Sequence, residues 1–424
     1  MHVRLSFGRD GLAVNLPGGY EYNVLEPPPL TALADPVAAI EAALDGPAAG
    51  PRLTELARGK RSAAISVCDI TRPAPNQVTL PPLLRRLEAS GISRANIRIM
   101  IATGLHRAAS DSEIRHILGE EIAASYEVLN HDARNQSQHR RLGTTRSGTP
   151  VWIDERFLSA DLHLTIGFIE PHLMLGFSGG RKLIAPGLAG EATIKELHSS
   201  RFMRHPRSHE GNIDGNPLHA ELLEIARMAR QDFILDVSLN KDRGICAVFA
   251  GEPEEAHRKG MDWVASSMLQ EVGEPFDAAI TTGAGFPLDL TFYQCVKGIT
   301  AAAQIVKPGG RILLFGECAE GAGAAEFRQM MTEHRSDRDF LKALDGAAVT
   351  IDQWQLEKLA LATQKTEVFY CVPGLPEPYM QALWGPGFRD SCDAILKFFE
   401  GLAPASRVAV IPEGPYVLAR ANAA

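Results

Sequence analysis

Two histidines stand where acid–base chemistry is possible. His106 follows the apolar run 97–103 and His172 follows the run 162–169, each close to a glycine or a proline. An unperturbed histidine changes charge near pH 6.5, so a pair placed on opposite faces of a carbon could invert it. Position alone leaves the alternative open that these are two of the chain's 13 histidines that fall in loops by chance.

A glycine-rich segment, residues 176–182, reads Gly-Phe-Ser-Gly-Gly-Arg-Lys. Glycines let the backbone approach a ligand closely, and successive N–H groups could hold a phosphate. We expect Arg181 to lower the pKa of Lys182, which favours a nucleophilic amine. A P-loop is excluded, because that motif requires serine or threonine after the lysine and Leu183 stands there instead.

Two further places suit a carboxylate ligand. Arg72 could bind one through both arms of its guanidinium, and Asp69 could orient it or bind a ribose hydroxyl. Gln294 and Lys297 share a face at the start of a predicted helix, where the helix N-terminus also favours an anion. In the competing interpretation Thr291 and Gln294 only cap that helix and Lys297 is solvated.

His198 falls within a helix predicted over 191–200, on the side that faces the loop of Lys182. A neutral imidazole can bind a transition metal, although a surface or core role is commoner for a histidine taken alone. Trp354 lies in another predicted helix, where packing is the ordinary role of a tryptophan.

Short apolar runs alternate with helical patterns, which predicts an α/β fold with mostly parallel sheets. In such sheets ligands bind beyond the carboxyl ends of the strands, where the candidate residues fall. We also predict a β-hairpin over 3–16, an Asn216 N-cap and capping boxes at Ser110–Glu113 and Thr193–Glu196. The expected strands are 63–69, 97–103, 162–169, 233–239, 277–282 and 311–315, and the expected helices are 77–90, 110–119, 191–200, 217–229, 253–270 and 292–306.

The 424 residues are many for one hydrophobic core, so we expect two α/β domains, 1–268 and 269–424, with an active-site cleft between them. A net charge of −8 without a basic block argues against nucleic acid or an anionic membrane as partner. No apolar run approaches a membrane span and no signal peptide is visible, so we expect a cytoplasmic protein. The 6 scattered cysteines are expected to be reduced thiols.

Taken together, these segments resemble the LarA-type lactate racemases, the family that uses a nickel-pincer nucleotide. The order and approximate spacing of the segments match through nearly the whole chain. The matching stretches are Asp69–Pro73, Gly104–Arg107, Glu170–His172, Gly176–Lys182, His198 and Tyr293–Gly298, with similar segments at 215–219 and 410–416.

The resemblance implies a role for each matching position. Lys182 would carry the cofactor, a nickel-bound pyridinium-3,5-bisthiocarboxylate mononucleotide, through a thioamide, and His198 would complete the nickel coordination. The remaining cofactor contacts would come from Asp69, Thr71, Arg72, Ser178, Gly180, Tyr293 and Trp354. The substrate carboxylate would be held by Arg72, Gln294 and Lys297. His106 and His172 would be the acid–base pair.

The implied chemistry is a hydride route. Acid–base help is worth about 10²–10⁴ in rate, too little for a histidine to remove the weakly acidic α-hydrogen of a hydroxy acid. One histidine would instead take the hydroxyl proton while hydride leaves to the cofactor, which gives a planar 2-keto acid. Return of hydride to the other face, with a proton from the opposite histidine, gives the enantiomer.

The expected function is therefore a racemase or epimerase of a small 2-hydroxy acid. Lactate, a larger 2-hydroxy acid and a sugar acid inverted at C2 all fit. The expected partners are that substrate and the enzymes that build the cofactor, and the sequence indicates no oligomeric state.

Three other functions have some support in the sequence. An NAD-dependent 2-hydroxy acid dehydrogenase lacks its fingerprint, because Gly283-Ala-Gly285 runs into Phe286-Pro287. A zinc hydrolase built on His205 and His209 lacks the H-E-x-x-H order. A non-catalytic or cofactor-free binding protein stays open at this point.

Overall fold

The computed structural model describes residues 1–422. Its strands are β1 (His2–Leu5), β2 (Leu12–Asn15), β3 (Glu21–Val24), β4 (Ala63–Cys68), β5 (Ile97–Ala102), β6 (Glu127–Asn130), β7 (His139–Thr144), β8 (Pro150–Asp154), β9 (Leu162–Phe168), β10 (Pro171–His172), β11 (Gly176–Phe177), β12 (Phe233–Leu239), β13 (Ile245–Gly251), β14 (Leu269–Glu271), β15 (Phe276–Thr282), β16 (Val306–Phe315), β17 (Glu367–Cys371), β18 (Gly387–Phe388), β19 (Arg407–Val410) and β20 (Leu418–Arg420).

The helices surround the sheets that these strands form. They are α1 (Pro36–Asp45), α2 (Leu53–Ala57), α3 (Asn76–Ala89), α4 (Asp111–Leu118), α5 (Glu120–Ser125), α6 (Glu155–Leu158), α7 (Glu191–Leu197), α8 (Ser200–Met203), α9 (Pro217–Met228), α10 (Pro253–Met268), α11 (Phe292–Ala302), α12 (Ala325–Glu333), α13 (Asp337–Ala343), α14 (Gln353–Thr363), α15 (Glu377–Met380) and α16 (Ser391–Phe399). The predicted α/β fold with mostly parallel sheets is confirmed.

The chain forms two compact units. The first unit comprises 29–197 and 207–267; the second comprises 1–28, 198–206 and the chain from 268 onward. One of these divisions lies between 267 and 268, and residues 1–28 and 198–206 belong with the C-terminal part. For 1–28 the reason is strand pairing, because β3 lies parallel to β19 at the edge of the second unit's sheet.

The sheet of the first unit has the order β13-β12-β9-β4-β5-β6, and all its pairs except β12–β13 are parallel. Every residue of β4 and β9 is buried, as expected for central parallel strands covered on both faces. The chain runs from β4 outward to β5 and β6, then returns to β9 on the other side of β4. The carboxyl ends of β4 and β9 therefore flank a topological switch point, the usual place for a ligand.

The sheet of the second unit has the order β18-β17-β16-β15-β19-β3 and is parallel throughout. Its strand β16 begins at Val306, five residues before the predicted start at 311, and its pairing with β15 is irregular near that end. Helix α11 ends at Ala302, four residues before the predicted end at 306. The apolar pattern predicted that β16 and α11 exist but did not predict where they begin and end.

Two of the three predicted helix caps are present. The Ser110 hydroxyl accepts from the Glu113 N–H while the Glu113 carboxylate accepts from the Ser110 N–H, so this capping box is confirmed. The Asn216 cap is also confirmed. The capping box at Thr193 is wrong, because α7 begins at Glu191 and the Thr193 hydroxyl instead donates to the Pro150 carbonyl at 2.7 Å.

The predicted hairpin over 3–16 is confirmed by antiparallel pairing of β1 with β2. No helix among the described residues is long and apolar enough to cross a bilayer. All six cysteines lie in the described part of the chain and are free thiols, five of them buried.

Residues 198–206 are fixed to helix α14 inside the second unit. The Arg204 guanidinium donates to the Glu357 carboxylate at 2.6 Å and to the Asp345 carboxylate at 2.7 Å. The Glu357 side chain is 0% exposed, so this ion pair is shielded from solvent on one side. The Lys358 ammonium adds a hydrogen bond to the Met203 carbonyl at 2.9 Å.

Replacing Arg204 with alanine is expected to lower the free energy of unfolding by about 3 kcal/mol, because the buried Glu357 carboxylate loses its guanidinium. Urea denaturation followed by circular dichroism measures the loss. Lys342→Ala, an exposed change on α13, is the matched control and should cost less than about 0.5 kcal/mol. If Arg204→Ala cost no more than the control, the ion pair would not hold this segment.

Candidate functional site

His106 is held by a buried carboxylate at the ends of β4 and β5. Its Nδ1 lies 2.7 Å from Oδ2 of Asp69, the first residue after β4. The Asp69 side chain is 6% exposed, whereas that of His106 is 54% exposed. An ionised carboxylate only accepts hydrogen bonds, so Nδ1 carries a proton, and in the neutral ring the lone pair is therefore on Nε2. The arrangement presents a base with a fixed tautomer.

The environment of Asp69 favours its ionised form. Burial raises the pKa of Asp69, but other effects hold that pKa below its ordinary value. They are the hydrogen bond from His106, the positive charge of the His106 imidazolium, the hydrogen bond from the Thr71 hydroxyl and the positive charge of Arg72. The Thr71 hydroxyl donates to Oδ1 at 2.7 Å, so both carboxylate oxygens are engaged. Thr71 and Arg72, both expected to contact a cofactor, are exposed beside this carboxylate.

An Asp69→Asn variant is expected to lose roughly 10- to 100-fold in activity, because the amide cannot hold the His106 Nδ1–H as a carboxylate does. Thr71→Val is the milder control, since it removes only the hydrogen bond to the second oxygen. Activity assays on both variants measure the difference. Equal losses of activity in Asp69→Asn and Thr71→Val would show that Asp69 does not act through His106.

The same pair predicts a pH dependence of stability. The folded pKa of Asp69 is lowered, so its stabilising contribution is present above the unfolded pKa, near 3.9, and is lost as pH falls through the folded value. The difference in melting temperature between the wild type and Asp69→Asn should therefore be constant near neutral pH and shrink below about pH 4. A difference that grew on acidification would contradict this sign.

His172 lies in a tight hairpin beyond β9. Strand β10, which ends at His172, pairs with β11, and the Leu175 N–H points at the His172 Nδ1 at 3.4 Å. The base of the hairpin is closed by Ser178, whose N–H donates to the Glu170 carbonyl at 2.9 Å and whose hydroxyl accepts from the Glu170 N–H at 3.0 Å. The hydroxyl of Ser178, a residue expected to contact the cofactor, is thus engaged in closing the hairpin.

The Lys182 segment begins directly after this hairpin. Gly179 and Gly180 have φ of +81° and +47°, a region that favours glycine, and then a short 3-10 turn carries Lys182, which is half-buried. The Gly180 N–H donates to the Asp236 carboxylate at 2.8 Å. Burial raises the pKa of Asp236 to about 7, although the hydrogen bond from the Gly180 N–H and the positive charge of Arg181 both act to lower it. The glycines are needed for this path of the backbone.

The Arg181 side chain makes contacts that the sequence did not predict. Its side chain is 1% exposed and lies against His257 of α10, with Nη1 3.1 Å from the His257 Nδ1. Nη2 points at the carbonyls of Leu175 and Phe177, both at 3.4 Å. Arg181 therefore anchors the segment that precedes Lys182, and the effect predicted on the lysine pKa stays a prediction.

A second group of predicted residues meets in the second unit. The ring centroids of His198 and Trp354 are 4.3 Å apart with planes inclined at 43°. The Trp354 indole N–H donates to the Tyr293 hydroxyl at 3.2 Å. The helix predicted over 191–200 ends at Leu197, so His198 stands just past its end. These contacts join three residues that are far apart in sequence.

Gln294 and Lys297 follow Tyr293 on helix α11. The Thr291 side chain makes no capping hydrogen bond, so the interpretation of Thr291 and Gln294 as a capping box is wrong. The Gln294 Oε1 is buried and has no hydrogen-bond partner within the described residues. A buried amide oxygen without a partner is costly, so a ligand with a donor group would stabilise it.

The predicted site residues are divided between the two units. Those in the first unit are Asp69, Thr71, Arg72, His106, His172, Ser178, Gly180 and Lys182. Those in the second unit are His198, Tyr293, Gln294, Lys297 and Trp354. The chain itself connects them, because Leu197 ends α7 in the first unit and His198 opens the segment of the second.

Sequence reasoning missed Asp236 and His257. Asp236 is an acidic residue in an apolar strand, β12, which is a signal for a buried functional or structural carboxylate. His257 gives no such signal, because it lies on an ordinary amphipathic helix far along the chain from the segment it contacts. Within residues 1–422, no three His, Cys, Asp or Glu side chains converge as a metal site.

Comparisons with known proteins give the class of the chain. Family models described as the lactate racemase N-terminal domain and C-terminal domain match residues 7–211 and 272–419. A lactate racemase of Thermoanaerobacterium thermosaccharolyticum is 33% identical over 99% of both chains. A lactate racemase of Lactiplantibacillus plantarum is 35% identical over 90% of both.

Solved structures agree with the sequence matches. The lactate racemase apoprotein of T. thermosaccharolyticum superposes with a TM-score of 0.93 at 32% identity, covering 99% of this chain and 100% of that one. A protein from Thermotoga maritima has a TM-score of 0.66 at 17% identity, with coverage of 91% and 98%, which shows a shared fold alone.

The fold and these relatives define an isomerase of the racemase class. The chain belongs to the lactate racemase family.

Proposed function

We propose that this protein racemises or epimerises a small 2-hydroxy acid, with lactate as the first candidate, using a nickel-pincer nucleotide attached at Lys182. The observation that carries the proposal is the buried Asp69 carboxylate holding His106 at 2.7 Å, beside the switch point of a lactate racemase family fold. A racemase needs a base that alternates with an acid, and this geometry supplies one on a side chain that is 54% exposed.

The residues present fit the proposed cofactor. Lys182 offers a half-buried amine next to glycines that permit close backbone approach, and His198 offers an imidazole stacked on Trp354. The unpartnered Gln294 Oε1 leaves a polar position for a ligand. When bound, the cofactor would supply a hydride acceptor, which no side chain provides. Enzymes that build the cofactor are then required partners.

The chain's own residues would handle the substrate and its protons. In the first unit Arg72 provides a cationic donor for a carboxylate, and in the second unit Lys297 and Gln294 provide a cationic and an amide donor. We assign His106 and His172 to opposite faces of the substrate carbon: one accepts the hydroxyl proton while the other returns a proton. Asp69 would hold His106 in the right tautomer through both states.

A cytoplasmic setting is part of the proposal. All six cysteines are free and five are buried, which suits a compartment where thiols stay reduced.

The test is a chiral assay with protein produced alongside the cofactor-building enzymes. Single enantiomers of lactate, longer 2-hydroxy acids and C2 sugar acids are incubated with the loaded protein and separated by chiral chromatography. The proposal predicts conversion of at least one acid to a mixture of stereoisomers without added nicotinamide. Formation of a 2-keto acid only when NAD is present would instead identify a dehydrogenase.

A further inference from the structure

The segment that presents Lys182 rests on buried side chains from two distant elements. Asp236 on β12 accepts from the Gly180 N–H at 2.8 Å, and His257 on α10 donates from Nε2 to the Ser178 carbonyl at 2.8 Å. The same histidine accepts from Arg181 through Nδ1 at 3.1 Å. One imidazole therefore contacts the residues on both sides of the two glycines that precede Lys182.

The backbone at Gly180 is tightly packed against the His257 ring. A Cβ at Gly180 would lie 2.8 Å from the His257 ring, so the backbone of the segment lies directly on the imidazole. His257 is 1% exposed, and its two hydrogen bonds require the neutral tautomer with the proton on Nε2. Burial and the Arg181 charge hold the pKa of His257 well below its ordinary value, so the ring stays in that form.

We infer that His257 is a positioning residue that fixes residues 178–182 so that the Lys182 amine meets the cofactor that becomes attached to it. Loss of a hydrogen bond that fixes a ligand-bearing group commonly costs about 10- to 100-fold in affinity or activity. The inference rests on the proposed attachment at Lys182, and it adds a residue that lies 75 positions further along the chain.

The test compares three variants of the full chain. His257→Phe keeps a ring beneath Gly180 but removes both hydrogen bonds, and His257→Asn keeps a polar group too short to reach both partners. Arg258→Gln, on the same helix with an exposed side chain, is the matched control. Hydrogen exchange of residues 176–183 is measured in the unloaded proteins, and the fraction carrying a covalent adduct at Lys182 is measured by intact mass after production with the cofactor-building enzymes.

The positioning role predicts exchange in 176–183 about tenfold faster in both His257 variants, with the rest of the first unit unchanged. It also predicts an adduct fraction about tenfold lower, while Arg258→Gln matches the wild type in both readouts. Folded His257 variants with wild-type exchange and wild-type adduct would overturn the inference. Failure of both variants to fold, with the control folded, would also overturn it, because His257 would then support the whole unit.

The exchange measurement separates this inference from the proposed function. If the wild type carried no adduct but the His257 variants still loosened 176–183, the proposed attachment would fail while the contact between His257 and the segment stood. If the wild type were loaded and the variants were loaded equally, only the positioning role would fail.

Discussion

A Lys182→Ala protein is expected to carry no covalent adduct and to racemise no 2-hydroxy acid above background. The reason is chemical: acid–base groups alone supply about 10²–10⁴ in rate, far short of what removal of the α-hydrogen requires. If the proposed cofactor is tethered at Lys182, its loss would leave the protein without a hydride acceptor. Intact mass and the chiral assay measure the two losses on the same sample.

Two further variants sharpen the Lys182 experiment. Lys182→Arg keeps a cation but cannot form the thioamide, so it should behave as Lys182→Ala does. Lys195→Ala, on α7 of the same unit with a partly exposed side chain, should keep both adduct and activity. An adduct that persisted in Lys182→Ala would place the attachment on another residue.

Separate replacement of His106 and His172 by alanine is expected to lower racemisation by about 10²–10⁴ in each case. Each histidine would serve one face of the carbon, and a full turnover in either direction needs both. The adduct at Lys182 should remain, because neither histidine forms the attachment. Steady-state rates in both directions, together with intact mass, distinguish loss of catalysis from loss of cofactor.

His116→Ala is the control for the histidine experiment, since its side chain is exposed on helix α4. It should racemise at the wild-type rate. A His106→Ala or His172→Ala protein that did the same would remove that histidine from the acid–base pair.

The sequence predicted the elements of the fold because its apolar runs are strong. Strand β12 matches its predicted bounds, and β4 and β9 differ by one residue at one end. Ends of elements were less predictable where tertiary contacts decide them. Thr193 has the spacing of a helix cap, but its hydroxyl is used by the Pro150 carbonyl, a partner that no local pattern reveals.

The division into units illustrates the same limit. Residues 198–206 follow helix α7 without a break in pattern, yet Arg204 pairs with Glu357 more than 150 positions away. Only a folded structure shows that pairing. His198 and Lys182 are close in sequence and yet belong to different units.

Candidate site residues were predictable where they follow strands, because the carboxyl ends of parallel strands share one edge of the sheet. Asp69 and His106 meet for that reason. Their direct contact was not predicted, and it changes the role best supported for Asp69 from cofactor contact to orientation of a histidine. The buried supports of the lysine segment, Asp236 and His257, depend on packing and gave weaker signals.

The most direct test of the proposed racemisation follows the α-hydrogen itself. Lactate, or the acid that the chiral assay identifies, is prepared with deuterium at C2 and converted by the loaded protein in ordinary water. Mass spectrometry of both separated enantiomers should find the deuterium retained, because hydride leaves and returns without exchange with solvent. Product enantiomer that had lost its deuterium to water would show that a side-chain base removes the α-hydrogen as a proton, and would contradict the hydride route.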